Sequence, residues 1–419
     1  MQSVKKRNTY LIILCWLVYV STYLGKYSYN ANINQIEPFF NVTHDQSGLV
    51  SSLFFFSYGA GQIVHGLFSK RYNARYLIPF ALLISAAINI TVRFLSVFYP
   101  IKYLWLLNGF TLSLIWPIIV KTMAQNIESE NFDKALMIIG TTTPVGLTIS
   151  YGLSSFFIKI GNFRAIFTVG FFVLIIAAAL WFFISPKLTL GLCGENERSE
   201  NDENTVKHTE PNDGVLTAKN LVFYISVLAV LSAIGSIIRE GIGVWFPSIL
   251  IEGFGFDESV SVILSLLLPL LGILGNTLGI WFNKKVKDYI LFGIIFMAVA
   301  TVTIFAGYIG FTQKIVAMLI IGSALTSCIL YGFANIMTGK VPMCIPNKKN
   351  SGVMAGIMNG SAYVGSTISS YGVGVIAKNS GFNGALLCMV LTGVCSVIVF
   401  SVVFAIYKLT ERSKLKKII

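Results

Sequence analysis

Charged residues are scarce in this sequence, and their scarcity excludes most classes of soluble protein. Asp, Glu, Lys and Arg make up 12% of the 419 residues, whereas hydrophobic residues make up 55%. A typical soluble domain carries about 25% charged residues. The mean hydropathy of +0.75 points the same way. The composition therefore predicts an integral membrane protein that lies in a lipid bilayer.

The residue groups on which enzymes and ATP-driven proteins depend are also missing. No phosphate-binding loop of the P-loop type is present, so a gradient is the expected energy source. No nucleophile–base pair or metal-ligand spacing stands out, and we expect neither an enzyme nor a metal or cofactor. The six cysteines lie mostly in apolar stretches and lack paired spacing, which is typical of buried hydrophobic residues: Cys15, Cys193, Cys328, Cys344, Cys388 and Cys395.

Apolar runs long enough to cross a membrane recur along the chain. A helix of about 20 apolar residues crosses roughly 30 Å of hydrocarbon. The sequence predicts an all-α membrane protein with twelve transmembrane helices, at 9–38, 46–68, 76–97, 101–125, 135–160, 163–184, 220–252, 257–282, 289–310, 312–338, 350–377 and 382–407. The first span is too long and too rich in tyrosine for a cleaved signal peptide.

Lysine and arginine cluster on one side of this twelve-span arrangement. The clusters precede span 1, separate spans 2 and 3, follow span 8, separate spans 10 and 11, and close the chain, at 5–7, 70–75, 284–287, 340–349 and 412–417. Cytoplasmic loops of membrane proteins are enriched in these residues. Both termini are therefore predicted to lie in the cytoplasm, in a cell (inner or plasma) membrane. This distribution, and not nucleic-acid binding, accounts for the net charge of +13.

A polar stretch interrupts the apolar pattern at 185–219, with a run of acidic and amide residues at 194–204. Such a run has nothing to bury, which predicts a cytoplasmic linker. The linker divides the chain into an N-terminal six-helix bundle at 1–187, the linker itself at 188–219, and a C-terminal six-helix bundle at 220–419.

The two bundles are predicted to be copies of one unit. Pairs of residues recur at a constant offset of 213: Lys26 with Arg239, Gly66 with Gly279, and Tyr76 with Tyr289. The hexapeptide at 145–150 also resembles the one at 364–369, at an offset of 219. Matches in the same order at nearly one offset indicate duplication. Parallel repeats around a midplane binding site are a known plan for transporters.

The first predicted span carries a lysine well inside its apolar stretch. Tyr19, Tyr23, Lys26 and Asn30 are spaced four, three and four residues apart, which places them on one face of a helix. A cation in the hydrocarbon core costs a few kcal/mol, so it usually faces the protein interior or a water-filled path. We therefore expect this face to point away from lipid.

Arg239 is predicted to lie opposite Lys26, at the same depth in the second bundle. Two cations at the seam between the bundles repel each other unless an anion or a resident carboxylate joins them. The spans hold few acidic residues, and Glu240 is the clearest of them. The surplus of positive charge favours an anionic substrate.

Glu240 has several candidate roles. Neighbouring residues on a helix point about 100° apart, so Glu240 is not expected to face Arg239 well. Pairing with Lys26, with Lys121 or with another helix is expected instead. Glu240 is also the candidate to titrate and couple protons to transport.

Glycines and one proline predict where helices approach or bend. Gly59, Gly146, Gly272 and Gly365 lie in spans 2, 5, 8 and 11, where small residues let helices pack closely and slide. Pro247 follows Arg239 by about two turns and frees a backbone carbonyl near Gly243, which predicts a bend.

Three groups of residues resemble elements of one transporter family. They are Tyr19-x3-Tyr23-Leu24-x-Lys26, then Arg239-x-Gly241-x3-Trp245-x-Pro247, then Tyr331-Gly332 with Tyr363-x-Gly365. They are similar to parts of helices 1, 7, 10 and 11 in the major facilitator superfamily, within it the organophosphate:phosphate antiporters such as the glycerol-3-phosphate and hexose-phosphate transporters. The resemblance covers nearly the whole chain and implies a twelve-helix facilitator that works by alternating access.

The resemblance also implies roles for individual residues. Lys26 and Arg239 stand where the family has its two substrate-binding arginines, although a lysine lacks the bidentate fork that fits phosphate. Thr143 stands where the family has a histidine and Gln62 where it has a lysine, while the acids of helices 7 and 8 are replaced by Val244 and Leu268. The predicted substrate-binding residues are Lys26, Arg239, Tyr19, Tyr23, Asn30, Tyr331, Tyr363, Thr143, Gln62 and Trp245.

The sequence is thus interpreted as a secondary active transporter, monomeric, that moves a small organic anion, an organophosphate, in exchange for inorganic phosphate. Two alternatives stay open at this point. The first is a proton-coupled organic-anion symporter with Glu240 as the titrating group. The second is a sugar-phosphate sensor, which binds its ligand without moving it.

Overall fold

The computed structural model describes residues 2–68, 72–126, 138–189, 218–341 and 351–415, and this part of the chain is helical without strands. Its α-helices, labelled in chain order, are α1 Gln2–Tyr27, α2 Ile33–Phe40, α3 His44–Phe68, α4 Ala74–Phe94, α5 Tyr99–Ser113, α6 Ile115–Asn126, α7 Thr142–Lys159, α8 Ala165–Leu188, α9 Ala218–Phe254, α10 Glu258–Leu264, α11 Leu267–Lys285, α12 Tyr289–Thr312, α13 Val316–Asn335 and α14 Ser351–Leu415. A 3-10 turn, Asn30–Asn32, precedes α2, and a π-helical turn, Ile336–Lys340, extends α13. The predicted fold class is confirmed.

Eight helical stretches of the described residues are long and apolar enough to cross a membrane. The last of them, Gly356–Leu409, contains Gly381, whose φ of +68° divides α14 into two arms. Only glycine adopts such a left-handed conformation at little cost. Together with α3, α5–α6 and α7, which are shorter or more polar, these stretches are consistent with the twelve predicted passes.

The first predicted span, 9–38, is not one continuous helix. Helix α1 ends at Tyr27, and α2 begins only at Ile33. The side-chain amide of Asn32 donates to the carbonyl oxygen of Ser28 at 2.7 Å, so a side chain competes with the backbone ladder there. The periodicity of a single helix therefore fails beyond Tyr27.

The outward faces of the helices are apolar, as lipid requires. Phe94, Phe183 and Val302 are 72%, 68% and 68% exposed. Trp105 and Trp181 are fully buried between helices. Helices that are apolar both inside and outside are typical of membrane spans.

The predicted linker lies almost entirely outside the described residues, which end at Thr189 and continue from Ala218. The division into two bundles and a linker stays a prediction. Below, the helices before this gap are called the N-terminal helices and those after it the C-terminal helices.

Two seams join the N-terminal helices to the C-terminal helices. In the first, α3 packs against the first arm of α14, and Ser52 Oγ donates to the carbonyl oxygen of Thr367 at 2.8 Å. In the second, α7 packs against α10 and α11, and Ser155 Oγ donates to the carbonyl oxygen of Ser259 at 2.7 Å. These are the helices of spans 2, 11, 5 and 8, where glycines predicted close approach.

Candidate anion-binding site

A central cavity of about 220 Å³ lies between the N-terminal and C-terminal helices. Its wall is formed by the last turns of α1 and α3, the first turn of α7, the middle of α9, the end of α13 and the first arm of α14. Eight of the ten predicted binding residues line it, together with Glu240: Lys26, Arg239, Tyr19, Tyr23, Tyr331, Tyr363, Thr143 and Gln62.

Lys26 lies within a cage of tyrosine rings. Its Nζ is 3.9 Å from the ring centroid of Tyr23, 5.1 Å from that of Tyr19 and 5.2 Å from that of Tyr58. Cation–π contacts of this kind contribute about 0.5–2 kcal/mol each. Among the residues described, Lys26 has no carboxylate within 4.0 Å. The rings thus hold a buried cation that no described carboxylate pairs with.

Arg239 is bound to its own neighbour, and the expectation that Glu240 would face elsewhere is wrong. Glu240 Oε1 accepts from Arg239 Nη2 at 2.8 Å and from Nε at 3.2 Å. The 100° rule describes the Cα–Cβ directions, but both side chains are long enough to curl toward each other. Opposite charges attract strongly at low dielectric, which favours that conformation. Arg239 also lies 5.2 Å from the ring centroid of Tyr331.

Glycines on facing helices make room for the tyrosines of the site. A Cβ added at Gly146 would lie 2.5 Å from Tyr23, one at Gly272 would lie 2.7 Å from Tyr331, and one at Gly59 would lie 2.6 Å from Tyr363. Any side chain at these positions would displace a ring. The glycines of spans 2, 5 and 8 therefore position the predicted hydrogen-bond donors as well as allowing close packing.

Thr143 and Tyr23 form a direct contact across the cavity wall. The Tyr23 hydroxyl and Thr143 Oγ1 are 2.5 Å apart. This threonine, which is predicted to stand at the histidine position of the family that the chain resembles, thereby joins α7 to α1. Farther toward the termini, Asn359 Nδ2 donates to Gln62 Oε1 at 3.3 Å and joins α14 to α3.

Two predicted residues are not brought to the cavity. Asn30 is buried and accepts a hydrogen bond from Ser51 Oγ at 2.7 Å. Trp245 is fully buried, and its Nε1 donates to the carbonyl oxygen of Ser370 at 3.2 Å. Asn30 lies past the end of α1, so its position no longer follows the face of Tyr19, Tyr23 and Lys26.

Several lining residues escape sequence reasoning because neutral amides and hydroxyls carry no distinctive signal: Tyr27, Asn276, Asn335, Thr338 and Asn359.

The proline of α9, Pro247, does lead from the sequence to a contact beside the site. The carbonyl oxygen of Gly243, freed by Pro247, accepts from the Tyr151 hydroxyl at 3.2 Å. This hydrogen bond joins α9 to α7 beside the Arg239–Glu240 pair.

The charged side chains on the cavity wall, within the described part of the chain, are Lys26, Arg239 and Glu240. Their formal charges sum to +1, since two cations face one carboxylate. No group of three His, Cys, Asp or Glu side chains suited to a metal ion occurs among the residues described. Cations, hydroxyls and amide groups around one cavity suit a small anion with hydrogen-bonding oxygens.

Residues 15–343 match the family model described as Major Facilitator Superfamily. The chain belongs to the major facilitator superfamily. The match covers most of the chain, including Lys26 on α1 and Arg239 on α9. The family resemblance predicted from the motifs is confirmed.

Two relatives that match over most of their length are named as phosphate-ester transporters. The glycerol-3-phosphate transporter of Bacillus subtilis is 23% identical over 398 residues, which cover 90% of this chain and 88% of that protein. The probable hexose phosphate transport protein of Chlamydia trachomatis is 22% identical over 426 residues, covering 95% and 92%.

A third relative is more similar over a shorter segment. The membrane sensor protein UhpC of Salmonella typhimurium is 33% identical over 101 residues. That segment covers 24% of this chain and spans only 23% of the sensor.

The fold is also that of a solved structure. A bacterial homologue of the human lysosomal transporter Spinster, in an inward-facing and unoccupied conformation, superposes with a TM-score of 0.70. The two chains are 15% identical, and the match covers 98% of each. This likeness supports the facilitator fold alone.

Proposed function

We propose that this facilitator exchanges an organophosphate for inorganic phosphate by alternating access. The observation that supports the proposal is the meeting of Lys26 and Arg239, equivalent positions of the predicted repeat, on the wall of one cavity. Tyr23, Tyr331 and Tyr363 supply hydroxyl groups on the same wall. The two relatives that match over most of their length are named for phosphate esters, and their resemblance supports an organophosphate over other anions.

In this proposal the anion brings the two six-helix bundles together. Lys26 belongs to the N-terminal helices and Arg239 to the C-terminal helices, so an anion between them is attracted by both. Binding offsets the net positive charge of the cavity, and the loaded carrier changes conformation more readily than the empty one. The phosphate of the opposite compartment then takes the same site for the return step.

The basic clusters of the sequence support a cell-membrane location with both termini in the cytoplasm. In that topology the end of α3 and the start of α7, which carry the lining residues Gln62 and Thr143, lie on the cytoplasmic side, so the cavity faces the cytoplasm. Because both termini are proposed to lie in the cytoplasm, a cleavable tag fused to either terminus should be protected from external protease in intact cells. Cleavage at one end only would contradict the twelve-span topology.

A transport assay separates this proposal from its two alternatives. The purified chain is reconstituted into vesicles that contain inorganic phosphate or none, and uptake of labelled glycerol 3-phosphate and glucose 6-phosphate is measured with the proton gradient clamped. We expect uptake only with phosphate inside. Uptake that requires acid outside and no internal phosphate indicates a symporter.

The similarity to the membrane sensor UhpC makes the sensor the second candidate. A sensor predicts saturable binding of the sugar phosphate by the purified chain without uptake in the vesicles. Lys26→Ala is the control for both measurements. If the chain is a transporter, this variant should lose both the binding and the uptake of the sugar phosphate.

A further inference from the structure

The Arg239–Glu240 pair changes the charge that the cavity presents to an anion. Arg239 is neutralised by a carboxylate that is hydrogen-bonded to it at 2.8 and 3.2 Å. Both side chains are mostly enclosed, with 18% and 13% of their surfaces exposed. Among the described residues of the wall, this leaves Lys26 as the cation without an ion pair.

Glu240 lies within the field of every charged or titratable group around it. On its own helix it is bound to Arg239, and on α1 Lys26 and Tyr27 lie close enough to interact with its charge. From the other helices it faces Tyr151 of α7, Tyr331 of α13 and Tyr363 of α14. The tyrosines are neutral at working pH, so the balance is set by two cations and one carboxylate.

Lys26, Arg239 and Glu240 are themselves mostly buried in the cavity wall, and buried groups tolerate little uncompensated charge. A ligand with one negative charge brings the sum of +1 to zero, whereas a ligand with two brings it to −1. Burying an unpaired charge at low dielectric is costly, and a proton that accompanies the ligand removes that cost. Phosphate monoesters lose their second proton at a pH of about 6, so most of them carry two charges at neutral pH.

We propose that Glu240 is a specificity-determining residue, because it restricts this site to a phosphate ligand that binds together with one proton. The proton resides on the phosphate oxygen or on the Glu240 carboxylate, and the total charge of the occupied site is zero in either case. This inference rests on the proposed function, since it assumes that the cavity binds a phosphate ester. It adds that the acid beside Arg239 sets the charge of the ligand.

The test is the pH dependence of ligand affinity for the full chain in detergent, measured by calorimetry with glycerol 3-phosphate between pH 5.5 and 8.5. For the wild type, affinity should fall about tenfold for each pH unit above about pH 6. For Glu240→Gln, whose cavity carries one more positive charge, affinity should be nearly constant above pH 7. Glu240→Asp keeps the carboxylate and should keep the slope of the wild type.

Sulfate provides a second probe because it stays a dianion over this pH range. At pH 8, Glu240→Gln should bind sulfate about tenfold or more tightly than the wild type does. The proposal is overturned if Glu240→Gln keeps the pH slope of the wild type, or if the wild type binds glycerol 3-phosphate equally at pH 6 and pH 8. Binding of neither anion by any variant would overturn the proposed function as well.

Discussion

The imidazole ring of His44 lies against Glu252, with Nε2 2.7 Å from the carboxylate oxygen Oε1. On the other side of the ring, Nδ1 lies 2.8 Å from Oε2 of Glu37. His44 is the first residue of α3, and Glu252 lies in the last turn of α9. The contact therefore joins the N-terminal helices to the C-terminal helices at the end of the bundle opposite the termini.

Further contacts between the same two groups of helices surround this one. Lys378 Nζ lies 3.1 Å from Oδ1 of Asp45, and Ser248 Oγ donates to Asn34 Oδ1 at 2.8 Å. Alternating access requires this end to open. The His44 cluster (His44, Glu37 and Glu252) is thus placed to hold the observed conformation closed here.

Replacing His44 by Gln should loosen this end. The substitution removes a charged donor between two carboxylates, and partly exposed ion pairs of this kind contribute about 1 kcal/mol, which is about a fivefold change in population. In a cysteine-free background, Ser52→Cys provides the measurement, because Ser52 is buried in the α3–α14 seam. A hydrophilic thiol reagent added to this side should label that cysteine about fivefold faster in His44→Gln. Equal labelling rates would show that the cluster does not hold the seam.

The same contact should depend on pH in a defined direction. Burial lowers the pKa of His44, but the hydrogen bonds and charges of Glu252 and Glu37 outweigh it and raise the pKa to about 10. Because the pKa is raised, protonated His44 stabilises the closed end fully below the ordinary pKa of about 6.5. This stabilisation is lost as the pH rises through about 10. Labelling of Ser52→Cys should therefore accelerate between pH 8 and pH 10.5. The His44→Gln background corrects for the ionisation of the thiol, and a constant ratio between the two backgrounds would contradict the prediction.

Gly48 should not tolerate a methyl group. A Cβ there would lie 2.6 Å from the carbonyl oxygen of Ser370 and 3.1 Å from Cζ2 of Trp245. Overpacking of this kind typically costs about 1–3 kcal/mol. We expect Gly48→Ala to lower the thermal unfolding midpoint of the purified chain and to accelerate labelling of Ser52→Cys.

Gly152→Ala is the matched control for Gly48→Ala. Gly152 is also inside a helix, and a Cβ there would have no heavy atom within 4 Å. Since alanine favours a helix over glycine by about 1 kcal/mol, Gly152→Ala should keep or raise the unfolding midpoint. A similar loss of stability in both variants would mean that the α3–α14 seam is not the cause.

Much of the site could be predicted from the sequence because charge in a membrane span is rare. Lys26 and Arg239 stand out in apolar stretches, and the tyrosines follow from their spacing and from family resemblance. Asn276 and Asn335 could not be predicted as lining residues. A neutral amide can lie in a cavity or in a helix interface, and the rotation of its helix, which the local sequence does not determine, decides between the two. The contact between Arg239 and Glu240 escapes sequence reasoning for another reason, because the Cβ directions of neighbouring residues do not fix where side chains this long end.

The fold shows the same division between strong and weak signals. Spans such as α8 and α12 are apolar throughout and were predicted within a few residues. The break after Tyr27 was missed because it depends on a hydrogen bond from the Asn32 side chain to a backbone carbonyl. Periodicity does not reveal a competition of that kind.

Lys26 and Arg239 are expected to act as joint ligands of one anion. Lys26→Ala and Arg239→Ala should each abolish exchange of glycerol 3-phosphate in vesicles, because one cation does not compensate the desolvation of a phosphate. The double variant should be scarcely worse than either single one, since both substitutions remove the same step. Arg239→Lys keeps the charge but loses the planar fork, so it should weaken binding and retain some exchange.

Lys26→Arg is the informative control for this pair, because it restores bidentate geometry at the first position. Organophosphate affinity should be retained or increased, provided that the longer side chain fits between the rings of Tyr19, Tyr23 and Tyr58. Arg239→Ala also leaves Glu240 without its partner, so membrane insertion and the unfolding midpoint must be measured beside flux. Normal exchange by Lys26→Ala would make Lys26 a structural residue and would remove the basis of a two-cation site.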